Sequence, residues 1–254
     1  MLDKKNKSVA DLINVQGDSR YVIICEHASK HIPHRYHNLG LTDAQVERHI
    51  GWDIGAQGVA EHLSTLLNSP LILQTQSRLL YDCNRPPSSK DAILEKSEQT
   101  VIPGNKNLSD QQRQARADDI YYPFHQSVTH LLDDRKACID SIIVTIHSFN
   151  PVYNGRERTV DLGIINDQDP RWAEDLTLAA AQFKGIKVKL NEPYSALDGV
   201  THTLQLHGRA RQLDNVMIEI KNDLIAGPKE QLLFAQMLAK LLQENVPKTN
   251  PPPT

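Results

Sequence analysis

The sequence contains few cysteines, few aromatic residues and no long apolar run. Only 3 of its 254 residues are cysteine, and aromatic residues make up 5%. Cys25, Cys83 and Cys138 are too few and too far apart for a disulfide framework or a cysteine-rich zinc module, so we expect reduced residues of the core. No stretch approaches the length of a membrane span, and the N-terminal segment MLDKKNKSVADLINV lacks the apolar run of a signal peptide. These absences predict a cytoplasmic protein.

The chain also lacks a large excess of charge of either sign. Its formal net charge is -3 and its pI is near 6.4, so it has no basic field that would attract nucleic acid or an anionic membrane. This balance favours a small molecule as the partner and leaves the oligomeric state open. With 39% hydrophobic and 23% charged residues, the chain is expected to form one domain over residues 1–254. We expect a short polar segment at 1–19 and an extended proline-rich tail at 247–254.

Apolar runs that alternate with helical patterns predict an α/β fold. Most of the strand-like runs are continuously apolar, which is typical of strands covered on both faces. We therefore expect three layers, with a largely parallel or mixed central sheet and helices on both faces. The polar segment 85–107 is expected to form an excursion at the rim of the sheet. The predicted strands span residues 21–25, 71–74, 142–146, 160–165, 188–190 and 216–220, and the predicted helices span 42–67, 109–136, 170–183 and 228–242.

Two histidines stand at the ends of apolar runs that we predict to be strands. His27 follows the run 21–25, and His147 follows the run 142–146. The carboxyl ends of parallel strands share one rim of a sheet, so residues far apart in sequence converge there. Asp53 is available as a carboxylate to complete the set. Glu26 competes with it, although adjacent residues on an extended segment point to opposite sides.

These residues predict a zinc site. A catalytic zinc ion commonly has three nitrogen or oxygen ligands from the protein and one open position, and His27, Asp53 and His147 would supply that number. The chain has 11 histidines, and a histidine taken alone is more often structural than a ligand. The position of these two at strand ends distinguishes them from the others. The reserve ligands are His31, His34 and His49.

A further carboxylate lies inside a predicted strand. Glu219 interrupts the apolar run 216–220. Burying a carboxylate is costly unless it is paired, protonated or bound to a cation. Two roles suit Glu219: a general base that takes a proton from water, or the buried partner of an arginine.

Residues suited to contact an acidic substrate cluster in two further segments. SRLLYDCNRPP contains Arg78, Asp82, Asn84 and Arg85, and arginine forks bind carboxylates in bidentate geometry. Either this segment binds substrate, or Asp82 pairs with an arginine to fix the loop. We expect Asp82 to pair with one arginine, and we favour Arg85 as the fork that binds the substrate. The other candidates for substrate contact are Asn191, Tyr194 and His207, and the next arginines in line are Arg156, Arg158 and Arg209.

Six short motifs, in this order, resemble the N-formylglutamate amidohydrolase family. They are EHAS with the following Pro33, WDIGA, SRLLYDCNRP, HSFNP, NEPY and IEIK. The resemblance extends from about Tyr21 to Leu224. It implies a relative of zinc-dependent exopeptidases and amidases, whose α/β fold carries one zinc ion at the carboxyl rim of the sheet.

The resemblance also implies roles for individual residues. Its SRL and NR motifs carry Arg78 and Arg85, and Glu26 remains the alternative to Asp53 as the carboxylate ligand. One departure is Lys221, which stands where the family pattern has arginine and offers a point charge instead of a planar fork. The positions for metal binding and proton transfer fall on His27, Asp53, His147 and Glu219.

The implied activity is zinc-dependent hydrolysis of the amide bond of a small N-acyl amino acid. N-formyl-L-glutamate is the named candidate, giving formate and L-glutamate, with Glu219 moving a proton from water to the leaving amine. One rival is an amidase or peptidase acting on another acylated amino acid or a small peptide. Another is a non-catalytic relative that binds metal or carboxylate. A serine hydrolase is disfavoured because the chain has no G-x-S-x-G motif.

Overall fold

Four of the predicted strands pair side by side at the centre of one sheet in the computed structural model, which describes residues 8–247. The strands are β1 (Ala10–Ile13), β2 (Tyr21–Cys25), β3 (Leu71–Gln74), β4 (Lys96–Ser97), β5 (Thr100–Val101), β6 (Ile142–Phe149), β7 (Val152–Tyr153), β8 (Arg156–Glu157), β9 (Leu162–Ile165), β10 (Val188–Leu190) and β11 (Asn215–Lys221). The α-helices are α1 (Asp43–Val46), α2 (Ala56–Leu67), α3 (Asp110–Arg116), α4 (Tyr122–Lys136), α5 (Arg171–Ala180) and α6 (Pro228–Glu244).

The main sheet has seven strands in the order β1-β3-β2-β6-β11-β9-β10. The four central strands, β3, β2, β6 and β11, run parallel to one another. At one edge β1 pairs antiparallel with β3, and at the other β9 pairs antiparallel with β11 and parallel with β10. The carboxyl ends of the four central strands therefore share one rim, and the predicted mixed sheet is confirmed.

Two apolar cores lie on opposite faces of this sheet. Successive side chains of a strand point to opposite faces, so in β2 Ile23 belongs to one core and Ile24 to the other. The first core is covered by α2, α5 and α6, and the second is covered by α4. The predicted arrangement of a sheet between two layers of helices is confirmed.

The helix predicted over 42–67 is wrong in its middle. Thr42 caps α1, which lasts only four residues, and the chain then turns until α2 begins. Gly55 stands just before α2 with a φ of +82°, and a Cβ there would lie 2.3 Å from the carbonyl oxygen of Ile225. Apolar spacing conceals this break because Ile50, inside it, is still buried.

The remaining predicted elements agree with the structure more closely. A π-helical stretch at 117–121 joins α3 to α4 within the helix predicted over 109–136. The segment 85–107 forms the expected excursion and contains the small hairpin β4–β5. Strand β1, within the polar segment 1–19, and the hairpin β7–β8 were not predicted. The expected extended tail at 247–254 lies, apart from its first residue, outside the described residues.

All three cysteines are free thiols. Cys25 and Cys83 are buried, as expected. Cys138 is exposed just after α4, so the expectation of a core residue is wrong for it, because the turn at the end of that helix faces solvent. Within residues 8–247, no helix combines the length and the apolar character that crossing a membrane requires.

Candidate metal centre

The two predicted histidine ligands lie where two neighbouring parallel strands stop pairing. Strand β2 ends at Cys25, and the last residue of β6 that pairs with β2 is Thr145. His27 follows β2, whereas β6 continues to Phe149, so His147 lies within its strand and not at the end expected from the sequence. Beyond Thr145 that strand has only β11 beside it, which leaves room for both imidazole rings at the rim.

Asp53 reaches the same point from the break between α1 and α2. Its backbone N–H donates a hydrogen bond of 2.9 Å to the carbonyl oxygen of His27. Its carboxylate oxygen Oδ2 lies 3.3 Å from the backbone N–H of Ser148. The break that sequence periodicity missed is therefore the feature that carries this carboxylate to the rim.

Three ligand atoms converge at this point. His147 Nδ1 lies 3.0 Å from Asp53 Oδ2, His27 Nδ1 lies 3.2 Å from the same oxygen, and the two Nδ1 atoms are 3.3 Å apart. Two ligands at about 2.0–2.1 Å from a tetrahedral zinc ion are themselves about 3.3–3.4 Å apart. The triangle therefore has nearly the dimensions of three corners of a tetrahedral zinc site, and all three side chains are buried.

The outer atoms of the three side chains also have partners. His27 Nε2 lies 2.7 Å from Asp82 Oδ1, and His147 Nε2 lies 3.1 Å from Glu26 Oε2. Asp53 Oδ1 accepts a hydrogen bond of 3.1 Å from Arg78. Such outer contacts fix the tautomer and orientation of metal ligands. This geometry favours Asp53 as the carboxylate ligand and gives Glu26 an orienting position behind His147.

The charges of the cluster explain why it suits a cation. Burial alone would lower the pKa of His147, but Glu26 and Asp53 raise it well above its usual value. Burial and Arg78 oppose protonation of His27, yet Asp82 and Asp53 still raise its pKa. Each ring nitrogen faces a carboxylate oxygen, so a proton or a metal ion must lie between them. Two protonated Nδ1 atoms 3.3 Å apart repel each other, whereas one divalent cation satisfies both.

Glu219 faces this cluster from the next strand. It is the register partner of His147 in the parallel pairing of β11 with β6, and register partners point to the same face. Burial raises the pKa of Glu219 to about 7, although His147 acts in the opposite direction. Its Oε2 is buried without a hydrogen bond from any residue in the described part of the chain. A carboxyl with this pKa can accept and return a proton near neutral pH.

A cavity of about 200 Å³ opens over the cluster. Pockets for drug-sized ligands have volumes of about 300–1,000 Å³, so this one is suited to a small substrate. The excursion 85–107 contributes Leu94, Ser97 and Glu98 to one wall. The candidate metal ligands and the charged residues around them also line the cavity: His27, Asp53, Arg78, Asp82, His147 and Glu219.

The segment SRLLYDCNRPP lies in the cavity wall and uses its two arginines differently. The expected ion pair is formed by Asp82 with Arg78, at 3.3 Å. Arg85 Nη1 donates to the carbonyl oxygens of Asn84 and Gly199 at 2.9 and 2.8 Å. Asn84 is buried, and its amide is engaged by the backbone of Val200 and Thr203. Arg85 has no carboxylate within ion-pair distance among residues 8–247, whereas Arg78 has two.

The structure brings only one of the three later candidates for substrate contact to the cavity. Tyr194 lines it, and its hydroxyl accepts a hydrogen bond of 2.9 Å from Arg158. Asn191 lies elsewhere, with its amide donating to Asn166 Oδ1 at 2.9 Å. His207 is 1% exposed, and its ring nitrogens contact His125 and Arg211. The structure therefore does not bring these two residues to the cavity, and neighbouring side chains contact their polar atoms.

Of the reserve histidines, only His49 borders the cavity. Its Nδ1 lies 3.8 Å from Asp53 Oδ1, and burial lowers its pKa to about 4. His31 and His34 are exposed. Lys221, the departure from the family pattern, pairs with Asp161 at 2.5 Å and does not line the cavity.

The sequence ranked Arg158 only as a reserve, although it lines the cavity. Three aromatic rings surround its guanidinium, and one of these, that of Tyr194, is 36 residues away along the chain. The local signal in HSFNPVYNGRER is a pair of aromatic residues just before the arginine, which suggests a stacked guanidinium only once the β7–β8 hairpin is known. The next arginines in line behave differently, since Arg156 is exposed and Arg209 lies 3.5 Å from Asp167.

These features define a class of protein: a mixed α/β fold in which two histidines and an aspartate that could hold a metal ion lie at the carboxyl rim, beside a buried glutamate. Residues 19–226 match the family model described as N-formylglutamate amidohydrolase, so the chain belongs to that family. The predicted resemblance is confirmed.

Two solved structures illustrate the similarity. A gene product from Agrobacterium tumefaciens shares 43% sequence identity with this chain, covering 94% of this chain and 95% of its own, with a TM-score of 0.92. N-formylglutamate amidohydrolase from Ralstonia eutropha JMP134 shares 17% identity, covering 94% of this chain and 100% of its own, with a TM-score of 0.67. At that identity the second likeness concerns the fold alone. No curated protein matches significantly.

Proposed function

We propose that this member of the family is a metal-dependent amidohydrolase that cleaves the amide bond of a small N-acyl amino acid. The leading candidate is N-formyl-L-glutamate, which would give formate and L-glutamate. One observation carries the proposal most directly: the triangle of His27, Asp53 and His147 lies beside the buried carboxyl of Glu219 in one small cavity. The membership of the family supports an amidohydrolase.

Zinc is the metal we propose for the triangle of His27, Asp53 and His147. Two nitrogen donors and one carboxylate oxygen form a common ligand set for catalytic zinc, and the distances between them fit its tetrahedral geometry. When bound, zinc would polarise the acyl carbonyl and make water more acidic. Asp82 and Glu26 would keep each histidine in the tautomer that leaves Nδ1 free for the metal.

Glu219 is our proposed general base and acid. Its carboxylate takes a proton from the attacking water and then delivers it to the nitrogen of the leaving amine, so no proton is gained or lost over the reaction. Burial keeps its pKa near the pH at which both steps are possible. The free Oε2 leaves one oxygen available for this transfer.

The cavity wall supplies the proposed contacts to the substrate. Arg85 remains our first choice for binding a substrate carboxylate. It has no acidic partner in the described part of the chain, and both of its hydrogen bonds to carbonyl oxygens are made by Nη1. Arg78 is committed to Asp53 and Asp82 and is proposed to hold the site together. Tyr194 and Asn84 complete this wall.

The proposal is tested by metal analysis followed by a substrate panel. The purified protein is assayed for bound metal, then for release of free amine from N-formyl-L-glutamate, other N-formyl and N-acetyl amino acids and small peptides, before and after chelation. We expect about one zinc ion per chain, highest kcat/KM on N-formyl-L-glutamate, loss of activity on chelation and recovery with zinc. Glu219→Gln serves as the inactive control that keeps its metal.

Other outcomes separate the rival functions. Faster release of amine from a different acylated amino acid or a peptide would assign the same chemistry to another substrate. A full complement of metal with no turnover on the whole panel would indicate a binding protein. Turnover that survives complete removal of the metal would refute the metal-dependent reaction.

A further inference from the structure

His49 lines the cavity but has no role in the reaction proposed above. It lies in the break between α1 and α2, four residues before Asp53. Its side chain is 13% exposed and borders the cavity beside the triangle of candidate ligands. Burial lowers its pKa to about 4, so the ring is neutral and carries a single N–H. The other ring nitrogen is an acceptor, and its identity decides what the ring can bind.

The surroundings of Nδ1 favour a proton on that nitrogen. Nδ1 of His49 lies 3.8 Å from Asp53 Oδ1 and has no hydrogen bond within residues 8–247. Oδ1 accepts from Arg78 at 3.1 Å, and a carboxylate oxygen has a second lone pair. An N–H at Nδ1 is attracted by this charged oxygen, whereas a bare nitrogen would turn its own lone pair towards it and be repelled. Nε2 is therefore the acceptor.

Nε2 is also the accessible nitrogen of the ring. Nδ1 is buried, whereas Nε2 is accessible and has no hydrogen-bond partner in the described part of the chain. Two other acceptors in the cavity wall are occupied, because Asn84 Oδ1 accepts from the backbone of Thr203 and Asn150 Oδ1 accepts from Asn222. The cavity thus presents His49 Nε2 as a neutral acceptor without a partner.

The scissile amide of an N-acyl amino acid has one group that needs such an acceptor. Its carbonyl oxygen is the atom that a bound metal would polarise, whereas its N–H loses a hydrogen bond to water on entering the cavity and must be bound again. We propose that His49 accepts a hydrogen bond from this N–H through Nε2 and thereby positions the leaving nitrogen for protonation by Glu219.

This contact fixes the direction of the new lone pair on nitrogen. As the nitrogen becomes tetrahedral, its N–H stays with His49, so the lone pair points away from that ring and remains available for the proton that Glu219 delivers. The inference rests on the proposed function and adds the kind of bond that is cleaved. It predicts selection of secondary amides over esters and over amides alkylated on nitrogen.

A matched pair of ligands tests this inference. N-formyl-L-glutamate carries the amide N–H, and in the corresponding formate ester of the same configuration, freshly prepared, an oxygen atom replaces the N–H. Calorimetric titrations use zinc-loaded protein in the Glu219→Gln background, so that neither ligand is consumed.

The variants separate the acceptor from the volume of the ring. They are His49→Ala, His49→Phe, which keeps a ring but has no acceptor, and His49→Gln, whose amide oxygen can accept. His31→Ala, which changes an exposed histidine, is the control, and elemental analysis first checks that every variant retains its zinc. Because His49→Phe fills the space of the imidazole, it gives an answer even where His49→Ala fails to fold.

We expect the amide to bind more tightly than the ester before His49 is changed, because the ester oxygen would face the lone pair of Nε2. His49→Ala and His49→Phe should weaken binding of the amide by roughly five- to hundredfold, the range for a buried donor left unpaired. Binding of the ester should stay the same or become tighter. His49→Gln should restore part of the loss, and His31→Ala should leave both ligands as they were.

Turnover gives a second measurement. In the enzyme that retains Glu219, the two variants without an acceptor should lower kcat/KM for the amide by at least the loss in binding and leave kcat/KM for the ester unchanged. A residue that only stabilises the fold would lower both values together.

Three results would overturn the inference. They are an equal loss for amide and ester in His49→Ala and His49→Phe, an unchanged preference for the amide in both variants, and no preference for the amide, or no binding of it, before His49 is changed. If the expected binding pattern appears but the unmodified enzyme releases no amine from N-formyl-L-glutamate, the contact with the amide stands and the proposed reaction fails. If that amine is released without the binding pattern, the reaction stands and the role of His49 fails.

Discussion

A pair of buried histidines behind the cavity predicts that the protein loses stability as the pH falls below about 6.5. His125 Nε2 donates a hydrogen bond of 2.8 Å to the carbonyl oxygen of Cys83, which leaves Nδ1 to accept one of 2.9 Å from His207 Nε2. His207 Nδ1 in turn faces Arg211 Nη1 at 3.4 Å. In this arrangement both rings are neutral, and an added proton would face another N–H or the guanidinium.

The size of the effect follows from the two pKa values. Burial lowers the pKa of His125 to about 4, although the carbonyl of Cys83 acts in the opposite direction, and burial, His125 and Arg211 lower the pKa of His207 to about 3. His202 lowers both values further, and Glu26 is the one acid that raises them. In the unfolded chain a histidine has a pKa of about 6.5.

Whether the free energy of unfolding rises or falls with pH depends on which state, folded or unfolded, binds protons at the higher pH. As the pH falls through about 6.5 the unfolded chain takes up protons and the folded chain does not, so the free energy of unfolding decreases from there towards pH 4. At pH 5 the expected loss is about 2 kcal/mol for each histidine, or about 4 kcal/mol for the pair. Above about pH 7.5 this contribution is fully present.

The assay is denaturant unfolding between pH 5 and pH 7.5 with zinc in excess, comparing the unmodified protein with His207→Gln. Glutamine keeps an amide N–H that can donate to His125 but does not titrate. We expect the variant to lose about 2 kcal/mol less than the unmodified protein over this range. His130→Gln, which changes an exposed residue on α4, the helix that carries His125, is the control. A pH dependence in His207→Gln as steep as that of the unmodified protein would refute the assignment.

Further predictions concern the metal site. His27→Ala and His147→Ala should each lose most of the bound zinc, measured by elemental analysis, and full occupancy in either variant would exclude that residue as a ligand. Glu219→Gln should keep its zinc but lose roughly a hundredfold or more in kcat, because the amide cannot accept a proton; near-normal turnover would leave Glu219 with a structural role. Arg78→Ala should reduce the free energy of unfolding by about 3 kcal/mol, because Asp53 and Asp82 lose their counter-ion, and an unchanged unfolding curve would contradict that role.

The fold and the candidate site could be predicted from the sequence where a residue's surroundings depend on its own segment of the chain. Continuous apolar runs identified the central strands because strands covered on both faces need no polar side. The positions of His27 and His147 after such runs placed them at one rim, since parallel strands end together. These two facts were sufficient to predict that the two histidines lie close together, whereas the position of Asp53 beside them depends on the break between α1 and α2, which the sequence pattern did not show.

Features that depend on distant partners were not predictable in this way. The turn between Asp53 and α2 requires Gly55 because the backbone of Ile225, far along the chain, approaches it closely. His207 appeared available for substrate because nothing in its own segment reveals that His125, 82 residues earlier, occupies its ring nitrogen. Arg158 was ranked low because one of the rings that position it, that of Tyr194, belongs to another segment.

The dipeptide Glu26-His27 shows how adjacent residues can contribute to one candidate metal site in different ways. Side chains of neighbouring residues on an extended segment point to opposite sides, so only one of the two can reach a given point directly. His27 directs Nδ1 to the triangle, and Glu26 passes behind His147 to its Nε2. Burial alone would raise the pKa of Glu26, but His147 lowers it to about 2, so the carboxylate stays charged and holds that ring in place. The geometry therefore favours Asp53 over Glu26 as the carboxylate ligand, because Asp53 completes the triangle of possible ligand atoms and Glu26 contacts the far side of His147.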